Sequence, residues 1–209
     1  MIEVKQVGVT AGDVTLLAPV SFAVPQGEVL IVRGRNGTGK STLLRVLAGV
    51  RKPSIGSVQI NGSAVSQRDR RFRRSVSTMI GMPPMAVDLT VRDHVTLVAT
   101  TWVDDPAGAT SLAGGVLDEL GLASLGDRFV NELSSGQTQL FGLALVLARP
   151  FDLLILDEPE QRLDAEHVQT IIRVLQSRRD HGATLVVATH SSPIADALGD
   201  RVLELESAQ

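Results

Sequence analysis

Gly34-Arg35-Asn36-Gly37-Thr38-Gly39-Lys40-Ser41-Thr42 stands between two apolar runs, Val29-Leu30-Ile31-Val32 before it and Leu43-Leu44-Arg45-Val46-Leu47-Ala48 after it. The stretch therefore reads as a strand, a glycine-rich loop and a helix. A loop of this kind binds phosphate. Its glycines let the backbone curl until successive N–H groups point at one anion, and the following helix adds its positive N-terminal end. Gly34, Asn36, Gly37, Thr38, Gly39 and Thr42 belong to the cradle, and Lys40 is expected to reach the β- and γ-phosphates of a nucleotide. Ser41 is expected to place its hydroxyl on a Mg2+ ion held between those phosphates.

The 209 residues suit one large domain with subdomains. A formal charge of −3 offers no global basic field for nucleic acid or an anionic membrane. There is no cysteine, and no apolar leader follows the first residues, so a cytosolic protein without disulfides is expected. No apolar run approaches the roughly 18 residues needed to cross a bilayer. A membrane role would need a partner.

Working outward from the loop, Ile2 to Val7 alternates between apolar and polar residues, and Val20 to Val24 does so again before the turn Pro25-Gln26-Gly27-Glu28. With a short strand Ser57–Ile60 ended by Asn61-Gly62, these predict a small antiparallel layer. Gln67 to Arg74 holds five arginines around one Phe72 and reads as a solvated helical face rather than a nucleic-acid footprint. Ser75 to Ile80 is expected to be a strand. The two prolines in Gly81-Met82-Pro83-Pro84-Met85-Ala86-Val87 forbid a regular element there. Apolar residues recur at helical spacing from Leu89 to Trp102 and from Gly114 to Leu122, with Asp104 to Gly108 as the expected break, and again from Leu140 to Leu147. Phe151 to Leu156 and Ala183 to Ala188 are continuous apolar runs, as expected of central parallel strands covered on both faces. Asp164 can cap a helix over Ala165–Arg179, and Arg201 to Leu205 reads as a last strand.

Alternating strands and helices imply an open, largely parallel α/β sheet, which binds ligands at the carboxyl ends of its strands. Three strand ends carry polar groups. The phosphate loop follows one, Asp157-Glu158 ends the second and Thr189-His190 the third. In nucleotide hydrolysis the acid nearest the strand serves the metal and an adjacent carboxylate serves the attacking water. Asp157 is therefore assigned to Mg2+, Glu158 to the water, and His190 to the γ-phosphate.

With these residues in place the whole chain resembles an ATP-binding cassette (ABC) ATPase, the nucleotide-binding subunit of ABC transporters. Gly34 to Ser41 resembles the Walker A motif, Leu153 to Asp157 with Glu158 the Walker B motif and catalytic glutamate, and Leu133-Ser134-Ser135-Gly136-Gln137 the family signature. Leu163-Asp164 resembles the D-loop and His190 the switch histidine. The resemblance implies a P-loop NTPase fold. A RecA-like core and a small antiparallel β layer would occupy about 1–81 and 149–209, with a helical signature subdomain over about 82–148. It also implies ATP and Mg2+ as ligands and hydrolysis coupled to a separate transmembrane permease at the inner face of the membrane. Two ATPase subunits, identical or different, would pack head to tail, each covering the other's ATP with Ser134, Ser135, Gly136 and Gln137, and with Asp164 nearby. No nucleic-acid partner is expected. The alternative is a soluble or weakly hydrolysing nucleotide-sensing module.

Four positions depart from the family pattern. Gly81 stands where a glutamine usually touches magnesium and couples to the membrane domain, so slower hydrolysis or altered coupling is expected. Ala11 stands where an aromatic commonly stacks on adenine, so weaker base selectivity is expected. Ser135 replaces a signature glycine, and Leu140 replaces an arginine. Finally, the apolar loop Met82 to Val87 suits an adaptable docking groove for a short helix of a membrane subunit, or else packs against the helical subdomain.

Overall fold

The computed structural model describes residues 1–206. In chain order the elements are β1 (Ile2–Ala11), β2 (Val14–Val24), β3 (Val29–Arg33), α1 (Lys40–Leu47), β4 (Ile55–Ile60), β5 (Ser63–Ala64), α2 (Arg70–Ser75) and β6 (Val76–Met79). Then follow α3 (Val91–Thr100), α4 (Pro106–Glu119), α5 (Ser135–Leu147), β7 (Leu153–Asp157), α6 (Ala165–Asp180), β8 (Thr184–Ala188), α7 (Ser192–Leu198) and β9 (Arg201–Glu204). The chain divides into two compact units, one of residues 1–80, 151–158 and 176–209, the other of 81–150 and 159–175.

The first unit holds two sheets. The antiparallel one has the order β2-β1-β4-β5, and the parallel one has the order β6-β7-β8-β3-β9. Every residue of Val29–Val32, Leu153–Leu156 and Thr184–Ala188 is buried, which is why these runs are apolar without alternation. α1 buries Leu43, Leu44, Val46 and Leu47 in a cluster that joins Val4, Val9 and Leu17 of the antiparallel layer to Leu30, Ile155 and Val186 of the parallel sheet. The phosphate loop is thus held between a buried strand and a helix anchored in the core. β1 and β2 are longer than the alternation predicts, because they meet at a two-residue turn in which Ala11 pairs with Val14 and Gly12 takes φ 57.

In the second unit, Thr90 and Asp93 form a reciprocal capping box at the start of α3, and α3 and α5 meet through an edge-on contact of His94 with Phe141 at 5.3 Å. The expected break at Asp104 to Gly108 is displaced. α4 starts at Pro106, with Asp105 accepting hydrogen bonds from the N–H groups of Ala107 and Gly108. A proline in the first turn gives up an N–H that has no helical partner, so Asp-Pro here opens a helix. The loop Met82–Val87 is irregular, as expected, with Val87 84% exposed. His94 fixes its end. Its Nε2 accepts from the Ala86 N–H at 2.9 Å and its Nδ1 lies 2.8 Å from the Thr90 carbonyl oxygen, an arrangement that places the ring proton on Nδ1.

Candidate nucleotide site

The phosphate loop requires glycine at two positions for steric reasons. Gly34 has φ 146, and a Cβ there would lie 2.6 Å from both the Leu205 carbonyl oxygen and Thr38 Oγ1. Gly39 has φ 97, and a Cβ would lie 2.5 Å from the Leu16 carbonyl oxygen. Between them Thr38 is buried and donates from Oγ1 to the Arg35 carbonyl at 2.9 Å, which closes the loop on itself. Asn36 and Gly37 are exposed, and Ser41 and Thr42 are half-buried on the first turn of α1. Lys40 is buried and donates to the Gly34 carbonyl at 2.8 Å.

Sheet order gathers the remaining groups. β8 lies between β3 and β7, so the ends of the three strands adjoin. Asp157 pairs in register with Ala188, the Glu158 N–H donates to the Ala188 carbonyl at 2.8 Å, and the Thr189 N–H donates to the Val32 carbonyl at 3.3 Å. Lys40 Nζ lies 3.0 Å from His190 Nε2, and Glu158 Oε1 lies 3.4 Å from the same nitrogen. One imidazole nitrogen cannot accept from the ammonium and donate to the carboxylate together. The shorter contact, with a donor that has no lone pair, has Nε2 accepting from Lys40 with the proton on Nδ1. Glu158 itself takes φ 49, a conformation that costs a non-glycine residue about 1–3 kcal/mol and that clusters at functional sites.

A cavity of about 480 Å3 opens beside the loop, lined on one side by Lys40, Ser41, Thr42 and Glu158 and on the other by Val14, Thr15 and Leu16. Val14 is 60% exposed. Ala11, the position expected to meet a base, lies across the hairpin turn from Val14 and does not line this cavity. Only the register of β1 with β2 brings Val14 and Leu16 into it. Ser41 lines this cavity and Asp157, at the end of β7, does not; the Ser41 hydroxyl and the Asp157 carboxylate are hard oxygen groups of the kind Mg2+ takes beside water and phosphate. Among the described residues no group of three or more His, Cys, Asp and Glu side chains is placed to hold a metal ion.

The second unit carries the other expected residues. Ser134 caps α5: its Oγ accepts from the Gln137 N–H at 3.2 Å, and Gln137 Oε1 accepts from the Ser134 N–H at 2.9 Å. Both side chains are thus engaged in a capping box, and the Ser134 O–H remains available as a donor. Ser135 is exposed at the first helical position. Gly136 faces the D-loop, where a Cβ would lie 3.1 Å from the Arg162 carbonyl oxygen. Buried Gln139, which no sequence pattern singles out, donates to the Pro159 carbonyl at 3.1 Å, so α5 is tied to the segment that leads to Asp164. Asp164 caps α6 as expected, accepting from the His167 N–H at 2.9 Å. That backbone bond first, and the His167 ring second, hold its carboxyl below the usual range. Leu140 is a core residue, 1% exposed.

A family model described as ABC transporter matches residues 17–161. The chain belongs to the ABC transporter family. This ABC cassette is 37% identical over 202 residues to a methionine import ATP-binding protein of Rhodopseudomonas palustris, a match covering 94% of the chain and 54% of that protein. The chain thus spans about half the length of that relative. It is 33% identical over 193 residues to a cytochrome c biogenesis ATP-binding export protein of Xanthomonas oryzae pv. oryzae, covering 92% of the chain and 88% of that protein. Among solved structures it resembles an ATP-binding subunit of an ABC transporter, with a TM-score of 0.87, 26% identity, and coverage of 99% of the chain and 86% of that one. It also resembles a bacterial ABC transporter cassette solved as a dimer, with a TM-score of 0.88, 26% identity, and coverage of 98% and 94%. The fold is therefore that of α/β P-loop NTPases. Among the described residues no helix is long and apolar enough to cross a membrane.

Proposed function

We propose that this ABC cassette binds and hydrolyses ATP and that the hydrolysis powers translocation by a separate transmembrane permease. The observation that carries this reading is the convergence of Lys40, His190 and Glu158 beside the phosphate loop. The loop N–H groups and Lys40 bind the phosphates, with the base against Val14 and Leu16. Ser41 and Asp157 would hold Mg2+, which when bound would neutralise phosphate charge. Glu158 orients and deprotonates the attacking water, its carboxylate lying beside His190. His190 reaches the γ-phosphate.

Two copies of the chain close head to tail in twofold symmetry. Gly34, Asn36, Gly37, Thr38, Gly39, Lys40, Ser41 and Thr42 of one copy then share ATP with Ser134, Ser135, Gly136 and Gln137 of the next, with Asp164 beside them. The O–H of Ser134 and the N–H groups at the start of α5 suit a phosphate. The exposed, proline-held segment Met82–Val87, tied down by His94, receives the permease at the cytoplasmic face of the membrane. A slower, nucleotide-sensing variant of the same cycle is favoured by one observation, the absence of any side chain at Gly81.

ATP turnover of the wild type and of Glu158→Gln tests the proposal. General-base catalysis is worth about 10^2–10^4-fold, so the variant should lose that much while still binding ATP. Equal turnover in the two would overturn the assignment.

A further inference from the structure

Charge is distributed unevenly along this chain. Residues 41–80 contain eight Lys and Arg and one acid, Asp69, a net of +7, while the whole chain is −3, so the remaining residues sum to −10. The arginines of Gln67 to Arg74 are expected to form a solvated face. That holds for Arg70, Arg71, Arg73 and Arg74, which are all exposed around the buried Phe72. Arg68 differs. It lines a cavity of about 510 Å3 together with Arg51 and Lys52, which follow α1.

The chemistry of this cavity is one-sided. Its rim has three cations and the hydroxyls of Ser57 and Ser66, its floor has Val46, Val58 and Val65, and no acidic residue lines it. None of the three cationic side chains takes part in an ion pair among the described residues. The one acid in the segment, Asp69, accepts from the Arg71 N–H as the cap of α2 and is committed there. Gly49 approaches the floor closely: a Cβ there would lie 2.9 Å from Val65 Cγ1. Three like charges gathered around one concavity repel each other unless an anion sits among them. Two guanidinium forks and an ammonium favour the tetrahedral oxygens of a phosphate group. The apolar floor suits a short carbon skeleton, and the volume lies within the usual range for small-ligand sites.

We propose that this cavity is a second anion site, separate from the nucleotide site, that binds a phosphomonoester carrying a short carbon skeleton. It shares no lining residue with the cavity at the phosphate loop. The same chemistry is offered by a soluble sugar or glycerol phosphate and by the headgroup of an anionic lipid.

The test uses the full chain saturated with ADP and Mg2+, so that the nucleotide site does not compete. Glycerol 3-phosphate is titrated by calorimetry, and co-sedimentation is measured with phosphatidylcholine vesicles containing or lacking phosphatidic acid. Saturable binding of glycerol 3-phosphate identifies a soluble source, and binding confined to phosphatidic acid vesicles identifies a lipid. Charge-assisted contacts are each worth roughly tenfold or more, so Arg51→Ala/Arg68→Ala should weaken the observed binding by about 100-fold. Lys52→Glu/Arg68→Glu, which changes two exposed side chains, should abolish it while the ADP-bound melting temperature stays that of the wild type. Absence of binding to either probe, or binding unchanged in both double variants, overturns the proposal.

Discussion

Gly37 and Gly39 lie two residues apart in the phosphate loop with similar positive φ values of 84 and 97, yet alanine should be far worse at one than at the other. At Gly37 a Cβ meets nothing within 4 Å. Gly37→Ala therefore pays only for the backbone conformation, about 1–3 kcal/mol. At Gly39 the same strain applies, and the Cβ also lies 2.5 Å from the Leu16 carbonyl oxygen, 3.0 Å from Leu17 Cδ1 and 3.2 Å from Leu17 Cα. Two of those atoms are backbone in β2, whose Leu17 is 1% exposed, so the strand cannot step aside. Overpacking of this kind adds about 1–3 kcal/mol. For a chain of this size each kcal/mol lowers Tm by roughly 2–4 °C, so Gly39→Ala should melt about 2–12 °C below Gly37→Ala. The assay is thermal unfolding of both variants with and without ADP. With β2 fixed, only Gly39→Ala should also push the phosphate loop away from the cavity wall formed by Val14 and Leu16, weakening the gain in Tm on adding ADP. Equal melting of the two variants, or a greater loss at Gly37, would refute the steric argument.

Three further outcomes are expected. Gln139→Leu keeps the volume of a buried side chain but leaves the Pro159 carbonyl without its donor. It should cost about 1–3 kcal/mol in denaturant unfolding, and a neutral result would show the D-loop to be held otherwise. Gly81 has φ 77 with open space around it, so Gly81→Gln carries strain of about 1–3 kcal/mol that Gly81→Ala shares. ATP turnover should rise in the glutamine variant relative to the alanine one, and equal turnover would remove the amide from the account. Asp164 has its carboxyl held down by His167, so its capping contribution is present above the ordinary carboxylate range and is lost as pH falls through the depressed value. The Tm advantage of the wild type over Asp164→Asn should be full at neutral pH, begin to fall near the ordinary carboxylate value of about 4 and vanish only as pH drops through the depressed value, and an advantage that grows in acid would contradict the assignment.

What is legible in the sequence is what local pattern encodes. The glycine spacing from Gly34 to Gly39 specifies a loop wherever it lies, and Leu153–Leu156 and Leu185–Ala188 announce doubly covered strands with polar groups at their ends. Asp157, Glu158 and His190 are therefore identifiable from the amino-acid order alone. The left-handed backbone of Glu158 is not, because nothing in Asp-Glu-Pro forces φ positive. It accompanies the hydrogen bond of the Glu158 N–H to the end of β8, a tertiary contact the local sequence does not encode. Val14 and Leu16 stay hidden because their place in the cavity depends on strand register, and Gln139 because a glutamine in an apolar helix shows its purpose only beside the Pro159 carbonyl. Asp105-Pro106 reads as a break because the same dipeptide serves turns and first turns of helices alike. α7 gives no signal because its seven residues, capped by Ser191, are too few for a periodic pattern to emerge.

The central claim, that each ATP is shared between the phosphate loop of one copy and the signature of another, is tested most directly by mixing two inactive variants. Lys40→Ala lacks a working phosphate loop, and Ser134→Glu lacks a working signature. In a one-to-one mixture about half of the dimers pair one of each, and each such dimer keeps one intact site out of two. ATP turnover should rise from near zero in either variant alone to about a quarter of the wild-type value. Turnover of the mixture that stays at the mean of the two variants would place both halves of the site in one chain and contradict the account.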